Sequence, residues 1–462
     1  MRKMRRHQNI NKVCLTICIL LLIGLVSCQS TIQVKCLNDK NCQKVSPYIS
    51  VIFQFSKNID PEIIESAWFI DPYKPGRFIW MNNHTVKWTA DHPYKPGEKV
   101  TIGFLATVLG NKETSAENEL VWQTTIRQPA VLLTSSNQNG QELFLLEPYT
   151  NKDRVQITNT DGKILEYAGS HDGEKVVFTV LNSDGGADIW EWDRQLDKSF
   201  LLLSCGKNIC ESVSWSPNDT SIILTEQPVD QISITPNRLP QILILDVTSG
   251  EKNYLLPDRE LFGYDPDWSP NGEWITYRIG LDQGIEAVNL INSGSFYLSS
   301  SSGNSGCWSS DSQKFFFSSL NDFDDENHAE MLSSSLLQAD FSKKEILTIP
   351  YEEKDASGIS YLNPVCHPQD DGFLVYVQPS MNIPGRALWW LSSSGERKAI
   401  ISDDLSVVVS HAAWDTAGVS VLFSVSAFGS NSQGADLMVW ERIHQEAPKL
   451  LASDVFQPTW LP

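Results

Sequence analysis

The residues able to do chemistry in this chain are few and scattered. Three histidines stand out: His171, His367 and His411. An acidic run, Asp322, Asp324, Asp325 and Glu326, offers the carboxylate oxygens a hard cation such as Ca²⁺ wants. It lacks the glycine of an EF-hand loop, and the plain reading is a solvated acidic loop. Cys36 and Cys42, and Cys205 and Cys210, are spaced to close small loops as disulfides. Cys307 and Cys366 occupy similar places in successive repeats, as a third pair or as two buried thiols. No CxxC occurs and no histidine joins several cysteines at metal-ligand spacing, so a zinc reading fails. No G-x-S-x-G elbow is present.

Whether any of these groups meet depends on the elements that carry them. Most of the chain repeats one phrase, clearest in Pro266 to Tyr277, PDWSPNGEWITY. A strand ends at Trp268, Ser269-Pro-Asn-Gly makes a tight turn with Asn271 and Gly272 at positive φ, and an aromatic-rich strand follows. Copies begin at Gly169, Trp215, Trp308, Cys366 and Trp414, and an orphan Trp460 closes the series. The intervals run from 40 to 58 residues, suiting a four-stranded propeller blade of roughly 40–50 residues. Third strands such as Ile189-Trp-Glu-Trp-Asp and Leu388-Trp-Trp-Leu follow each copy. An additional first copy, beginning Leu143-Phe-Leu-Leu-Glu, lacks its own tryptophan strand, and Trp460 lacks everything else. We therefore expect an all-β chain with a seven-bladed ring, the last strand completing the first blade; six or eight blades are the alternatives. Closure leaves only short protected strand edges.

In this frame His171 and His367 fall at turns after inner strands and His411 just before one, on the opposite face. That argues against a shared metal site and for exposed turn histidines. Trp190, Trp192, Trp389, Trp390 and Trp440 lie on third strands, where adjacent side chains point to opposite faces. Packing between blades is preferred for them over ligand stacking.

Before the ring, residues 28–128 read as about seven short strands between turns, a β-sandwich. Phe55-Ser56, Val86-Lys87-Trp88 and Pro96-Gly97 stand in the order of the bacterial Ig-like domain of the SbsA type, which this segment resembles. Lys99-Val100 departs from it, where an aromatic is common. The resemblance implies a spacer or adhesion module. The repeats of residues 129–462 resemble the TolB-like propellers, through Trp215, Trp268 and Trp308 with their Ser-Pro-Asn or Ser-Ser-Asp turns. Cys366-His367 departs from that pattern. The resemblance implies binding of proteins or ligands on a ring face or in the central funnel.

Residues 1–27 carry Arg2, Lys3, Arg5, Arg6 and Lys12, then an apolar run from Val13 to Val26, too short for a comfortable membrane span. The segment ends Leu25-Val26-Ser27-Cys28 and looks like the lipobox of bacterial lipoproteins. The resemblance implies cleavage before Cys28 and its lipidation, hence a membrane anchor and a cell-envelope location. Without the leader, 31 basic residues face 56 acidic ones. Such a surface repels nucleic acid, so none is expected as a partner. The reading is an exported, lipid-anchored binding or scaffold protein whose partner is an envelope protein or a glycan. The rival is a propeller lyase or hydrolase acting on envelope or extracellular polysaccharide.

Overall fold

A computed structural model describes residues 32–38, 42–105, 120–137, 140–150, 152–229, 239–256, 262–280, 284–302, 305–320, 333–349, 359–370, 372–378, 385–392, 397–401, 406–427, 434–442 and 446–462. Strands dominate it, and one short helix is present among these residues.

The first unit is a pair of four-stranded sheets. Val34–Cys36, Val51–Phe55, Thr85–Ala90 and Gly76–Asn82 form one. Lys44–Val45, Val121–Ile126, Lys99–Phe104 and Trp68–Asp71 form the other. Alternation makes the shared core: Val51, Phe53 and Phe55 point inward while Gln54 faces solvent. Phe53 sits at its centre, 5.0 Å from the rings of both Phe104 and Trp122. Two features depart from the expectation. Eight strands are present among the described residues rather than about seven. Pro61–Ala67 is helical, started by Asp60, whose carboxylate accepts from Glu62 N.

The second unit is a ring of seven four-stranded sheets. Its blades follow in chain order, their inner strands being Ile164–Gly169, Asn208–Trp215, Tyr264–Trp268, Cys307–Trp308, Ser360–Cys366 and Val407–Trp414 for blades 2 to 7. Blade 1 consists of Ala130–Asn137, Gly140–Leu146 and Val155–Gln156 plus a borrowed inner strand. That strand is the end of Lys449–Leu461. Its start pairs with Ala435–Glu441 as the outer strand of blade 7, and its end places Trp460 opposite Val131 and Leu461 opposite Ala130. One continuous strand thus serves the last blade and the first, and the ring closes as the orphan Trp460 requires.

Seven apolar clusters hold the ring, one at each blade-to-blade interface among the described residues. The third-strand tryptophans belong to them. Trp192, Trp390 and Trp440 are 3–4% exposed, and Trp190 and Trp389 pack half-buried against the same clusters.

The repeat phrase makes the turn in a way the sequence reading had only partly. Gly272 has φ +72°, and its N–H donates to Ser269 O across 2.8 Å. Asn271 is not left-handed; its Oδ1 accepts from Glu273 N and Ser269 Oγ instead. The fourth position after the motif residue is left-handed in other blades too, at Gly173, Asp219, Ser312 and Gly418. Each such turn leans on a neighbour. Asp219 of blade 3 accepts from His171 N and Asp172 N of blade 2, and Ser312 Oγ of blade 5 accepts from Asn271 N of blade 4.

Three disulfides are present among the described residues. Cys36–Cys42 and Cys205–Cys210 close local loops with Cα separations of 6.0 and 6.3 Å. Cys307–Cys366, Cα atoms 5.6 Å apart, joins the inner strands of blades 5 and 6.

Candidate functional site: a cleft where the sandwich covers the funnel

The turns after the inner strands of blades 2 to 6 come together on one face of the ring, and the sandwich lies over them. Two contacts set that placement. Asp172 Oδ2, on the blade 2 turn, accepts from Lys87 Nζ at 3.1 Å and Ser50 Oγ at 3.2 Å. Arg127, at the junction, reaches Glu174 Oε1 at 3.0 Å and the carbonyls of Gly173 and Pro462. Burial alone would raise the Asp172 pKa. The Lys87 charge and the donors Glu174 N and Ser170 Oγ overcome it and hold the carboxyl below its ordinary range.

Between the two units remains a cleft of about 560 Å³. The sandwich contributes Tyr48, Arg77, Lys87 and His92; the ring contributes the motif turns and the Cys307–Cys366 bridge. The charges of the lining do not balance. Arg77 pairs with Asp91, Lys87 with Asp172 and His171 with Asp219, at 3.4, 3.1 and 3.0 Å. Asp219 raises the His171 pKa against the desolvation that would lower it. Asp267 and Asp311 remain. Asp267 points into the channel and accepts from Ser214 Oγ at 2.8 Å; enclosure by the ring raises its pKa despite that donor.

Below the cleft the inner strands bulge in register. Their pairing shifts at Glu211/Ser214, Tyr264/Asp267, Leu362/Val365, Ser410/Ala413 and Phe456/Thr459. At each bulge a residue other than glycine is left-handed: Ser212, Asp265, Asn363, His411 and Gln457, with φ between +45° and +57°. All five stand three residues before the motif position. Bulges re-aim side chains, and non-glycine residues held left-handed cluster at clamps and sites. Glu166 holds the equivalent position in blade 2. Its carboxylate accepts from Val213 N at 3.3 Å and Thr179 Oγ1 at 3.4 Å. Burial, then the charge of Glu211, pushes the Glu166 pKa up to about 7. Burial and Asp265 likewise raise Glu211. Asp265 accepts from Ser212 Oγ at 2.7 Å and pairs with Arg278 at 2.7 Å.

The three histidines do not meet. His171 lines the cleft. His411 lies inside the inner strand of blade 7 at the bulge, not before it, which corrects its expected placement on the opposite face. Ser410 Oγ is 3.0 Å from its Nδ1, but no carboxylate orients the ring among the described residues. His367 is no exposed turn histidine: it is 3% exposed between Trp390 and Trp414. Its Nδ1 accepts from Gln369 N and Asp370 N, so Nε2 carries the proton toward Gly418 O at 2.9 Å. It stands where blades 2 to 5 have a turn-capping serine and blade 7 has Asp415, a role a buried imidazole also fills. Among the described residues no group of three His, Cys, Asp or Glu side chains is placed to hold a metal. Cys28 and the run Asp322, Asp324, Asp325 and Glu326 lie outside the described residues. No helix among the described residues is long and apolar enough to cross a membrane.

Fold and cleft together define a β-propeller capped at one mouth by a small sandwich, with an acid-rich chamber between. No family model matches the chain, and no curated protein matches it. Solved propeller proteins are similar to it at low identity. TolB from Acinetobacter baumannii has 10% identity and a TM-score of 0.43 over 86% of this chain and 83% of that one. The β-propeller domain of the Trilobed protease from Pyrococcus furiosus has 13% identity and a TM-score of 0.48, covering 78% and 94%. The tricorn protease has 10% identity and a TM-score of 0.49, covering 94% and 48%, so this chain spans about half of that protein's length.

Proposed function

We propose that this chain is an exported binding protein, held to a membrane by lipid on Cys28, that takes its partner in the cleft between sandwich and propeller. The observation that carries this reading is the chamber itself. It carries several carboxylates, is open to solvent and is built from both units, while the described residues offer no nucleophile with an oriented base. A binding protein needs the former and an acyl-transfer enzyme the latter. The sandwich acts as spacer and lid, and the partner is an envelope protein or a glycan.

The test is capture from envelope extract on beads carrying the soluble Cys28→Ser chain, read by mass spectrometry and glycan analysis in parallel. One protein retained in stoichiometric amount, and lost when Ser310→Trp fills the cleft, supports the reading. Partner capture unaffected by Ser310→Trp refutes the cleft as the site. Lipidation is tested separately: the native chain should partition with membranes and Cys28→Ser should not.

One observation favours the rival enzyme. Glu166 and Glu211 are neighbouring carboxyls with raised pKa values on the inner strands of blades 2 and 3, the kind of group a glycan lyase or hydrolase uses as general acid or base. Glycan shortened with time on the beads, and left intact by Glu166→Gln, would establish that rival.

A further inference from the structure

The chamber has a chemical preference that follows from what its charges leave unpaired. Its lining cations, Arg77 and Lys87, are each committed to an aspartate. Asp267 and Asp311 are left over at the cleft, on blades 4 and 5. One tier below, Glu166, Glu211 and Asp265 stand on the inner strands of blades 2 to 4, with Arg278 paired to Asp265. The tiers are two strand residues apart, about 6–7 Å at ~3.3 Å per residue.

A second observation, independent of the carboxylates, points to a missing hydrogen-bonding partner. Thr225 lies directly across the strand pair from Glu211, as Thr179 lies across from Glu166. Directly opposed residues of an antiparallel pair share a face of the sheet. Thr179 Oγ1 donates to Glu166. Thr225, only 1% exposed, has no hydrogen-bond partner for its Oγ1. An enclosed hydroxyl left without a partner is disfavoured unless a ligand or water completes it. In blade 6, Asn363 Oδ1, on the strained ring of bulges, is likewise enclosed and unpartnered.

We propose that the chamber binds a basic segment of a polypeptide, with one lysine or arginine side chain passing from the cleft into the channel to meet Glu211 and Thr225 Oγ1. The proposal rests on the binding reading above and names its ligand class. A polypeptide fits better than an amino sugar because of reach. A lysine ammonium sits on a flexible four-carbon stem, long enough to descend from the Asp267 tier to the Glu211 tier. An amine fixed to a pyranose ring would have to bring the ring with it. The backbone of the segment stays in the cleft among the turn residues, and a second basic side chain meets Asp267.

The test is fluorescence anisotropy with a labelled tetralysine peptide and the soluble Cys28→Ser chain, at low and at physiological salt. Tetraglutamate, a Gly-Ser peptide and chitosan tetramer are the comparison probes. Saturable binding of tetralysine alone is expected. Glu211→Gln should weaken it roughly ten-fold, the loss of one charge-assisted hydrogen bond. Thr225→Val, which keeps shape and net charge, should weaken it several-fold. Glu251→Gln, the same charge change on an exposed turn of blade 3, should alter it by less than about two-fold, because exposed charges contribute little. Equal losses in Glu211→Gln and Glu251→Gln would show diffuse attraction to an acidic protein and overturn the proposal. So would tighter binding of chitosan or tetraglutamate than of tetralysine. If tetralysine fails to bind while a protein is still captured in the bead experiment, the binding reading stands and this inference falls. If tetralysine displaces the captured protein, both are supported.

Discussion

Replacing Glu166 by glutamine should make the protein more stable, and only at neutral and alkaline pH. The carboxyl sits on the inner strand of blade 2, half-enclosed by the ring. Burial and the Glu211 charge raise its pKa from 4.5 to about 7. In the unfolded chain it ionises near 4.5; in the folded chain it stays protonated until about pH 7. Below pH 4.5 both states hold the proton and the group is neutral in its effect. Between 4.5 and 7 the unfolded state gains ionisation free energy that the folded state does not, so stability falls as pH rises, and the loss levels off above 7. A shift of ~2.5 units at ~1.4 kcal/mol per unit gives about 3.5 kcal/mol, nearer 2–3 once solvent around the partly exposed group is allowed for. Glutamine keeps the shape and the oxygen that accepts from Val213 N and Thr179 Oγ1, and has no proton to lose. Urea unfolding of wild type and Glu166→Gln at pH 4.5 and pH 8 measures the difference directly. We expect near equality at the lower pH and a gain of about 2–3 kcal/mol for the variant at the higher. A variant equally or more destabilised at pH 8 than at pH 4.5 would refute the reasoning, because it would mean the ionised carboxylate is welcome in the channel of the free protein.

His367 carries the opposite dependence. Burial lowers its pKa below the usual 6.5, more than Gly418 O and Asp370 raise it. Its contribution is therefore complete above pH 6.5 and lost as acid protonates Nδ1, the acceptor of Gln369 N and Asp370 N. Thermal melts should show His367→Asn less stable than wild type at pH 7.5 by about 1–2 kcal/mol and closer to it at pH 5. The Cys307–Cys366 bridge closes a span of 59 residues, for which chain entropy predicts about 4 kcal/mol; the double serine variant should melt well below the wild type when both are oxidised, and the gap should close when both are melted under reductant. Asp172→Asn removes the charge that holds Lys87 and the acceptor of Ser50 Oγ; hydrogen exchange at Thr85–Ala90 should quicken while that of the inter-blade strands stays unchanged.

The ring was legible because a propeller poses one physical problem seven times. Trp-Ser-Pro-Asn-Gly solves it with a wedge for the interface and a turn for the hairpin, and the orphan Trp460 reported the closure. What repeats by position but not by residue type was not legible. Ser212, Asp265, Asn363, His411 and Gln457 share a place and a left-handed backbone, yet no two are alike. The helix at Pro61–Ala67 was missed because seven residues hold too few turns to show a period against the strands around them. The cleft was missed because its fastenings join residues far apart in the chain, Lys87 to Asp172 and Arg127 to Glu174, which no local pattern connects.

The residues that escaped the sequence reading are also those that stability does not explain. Left-handed non-glycine residues cost about 1–3 kcal/mol each, and five stand in one ring around the channel. Beside them lie a carboxyl held near pH 7, a second with a raised pKa, and a buried hydroxyl with nothing to bond. Each is unfavourable for the free fold, and the carboxyls and the hydroxyl are the ones that the proposed basic side chain would relieve. At the channel wall the local rules and the global fold disagree. Such disagreement concentrates where a protein is shaped for something other than its own stability.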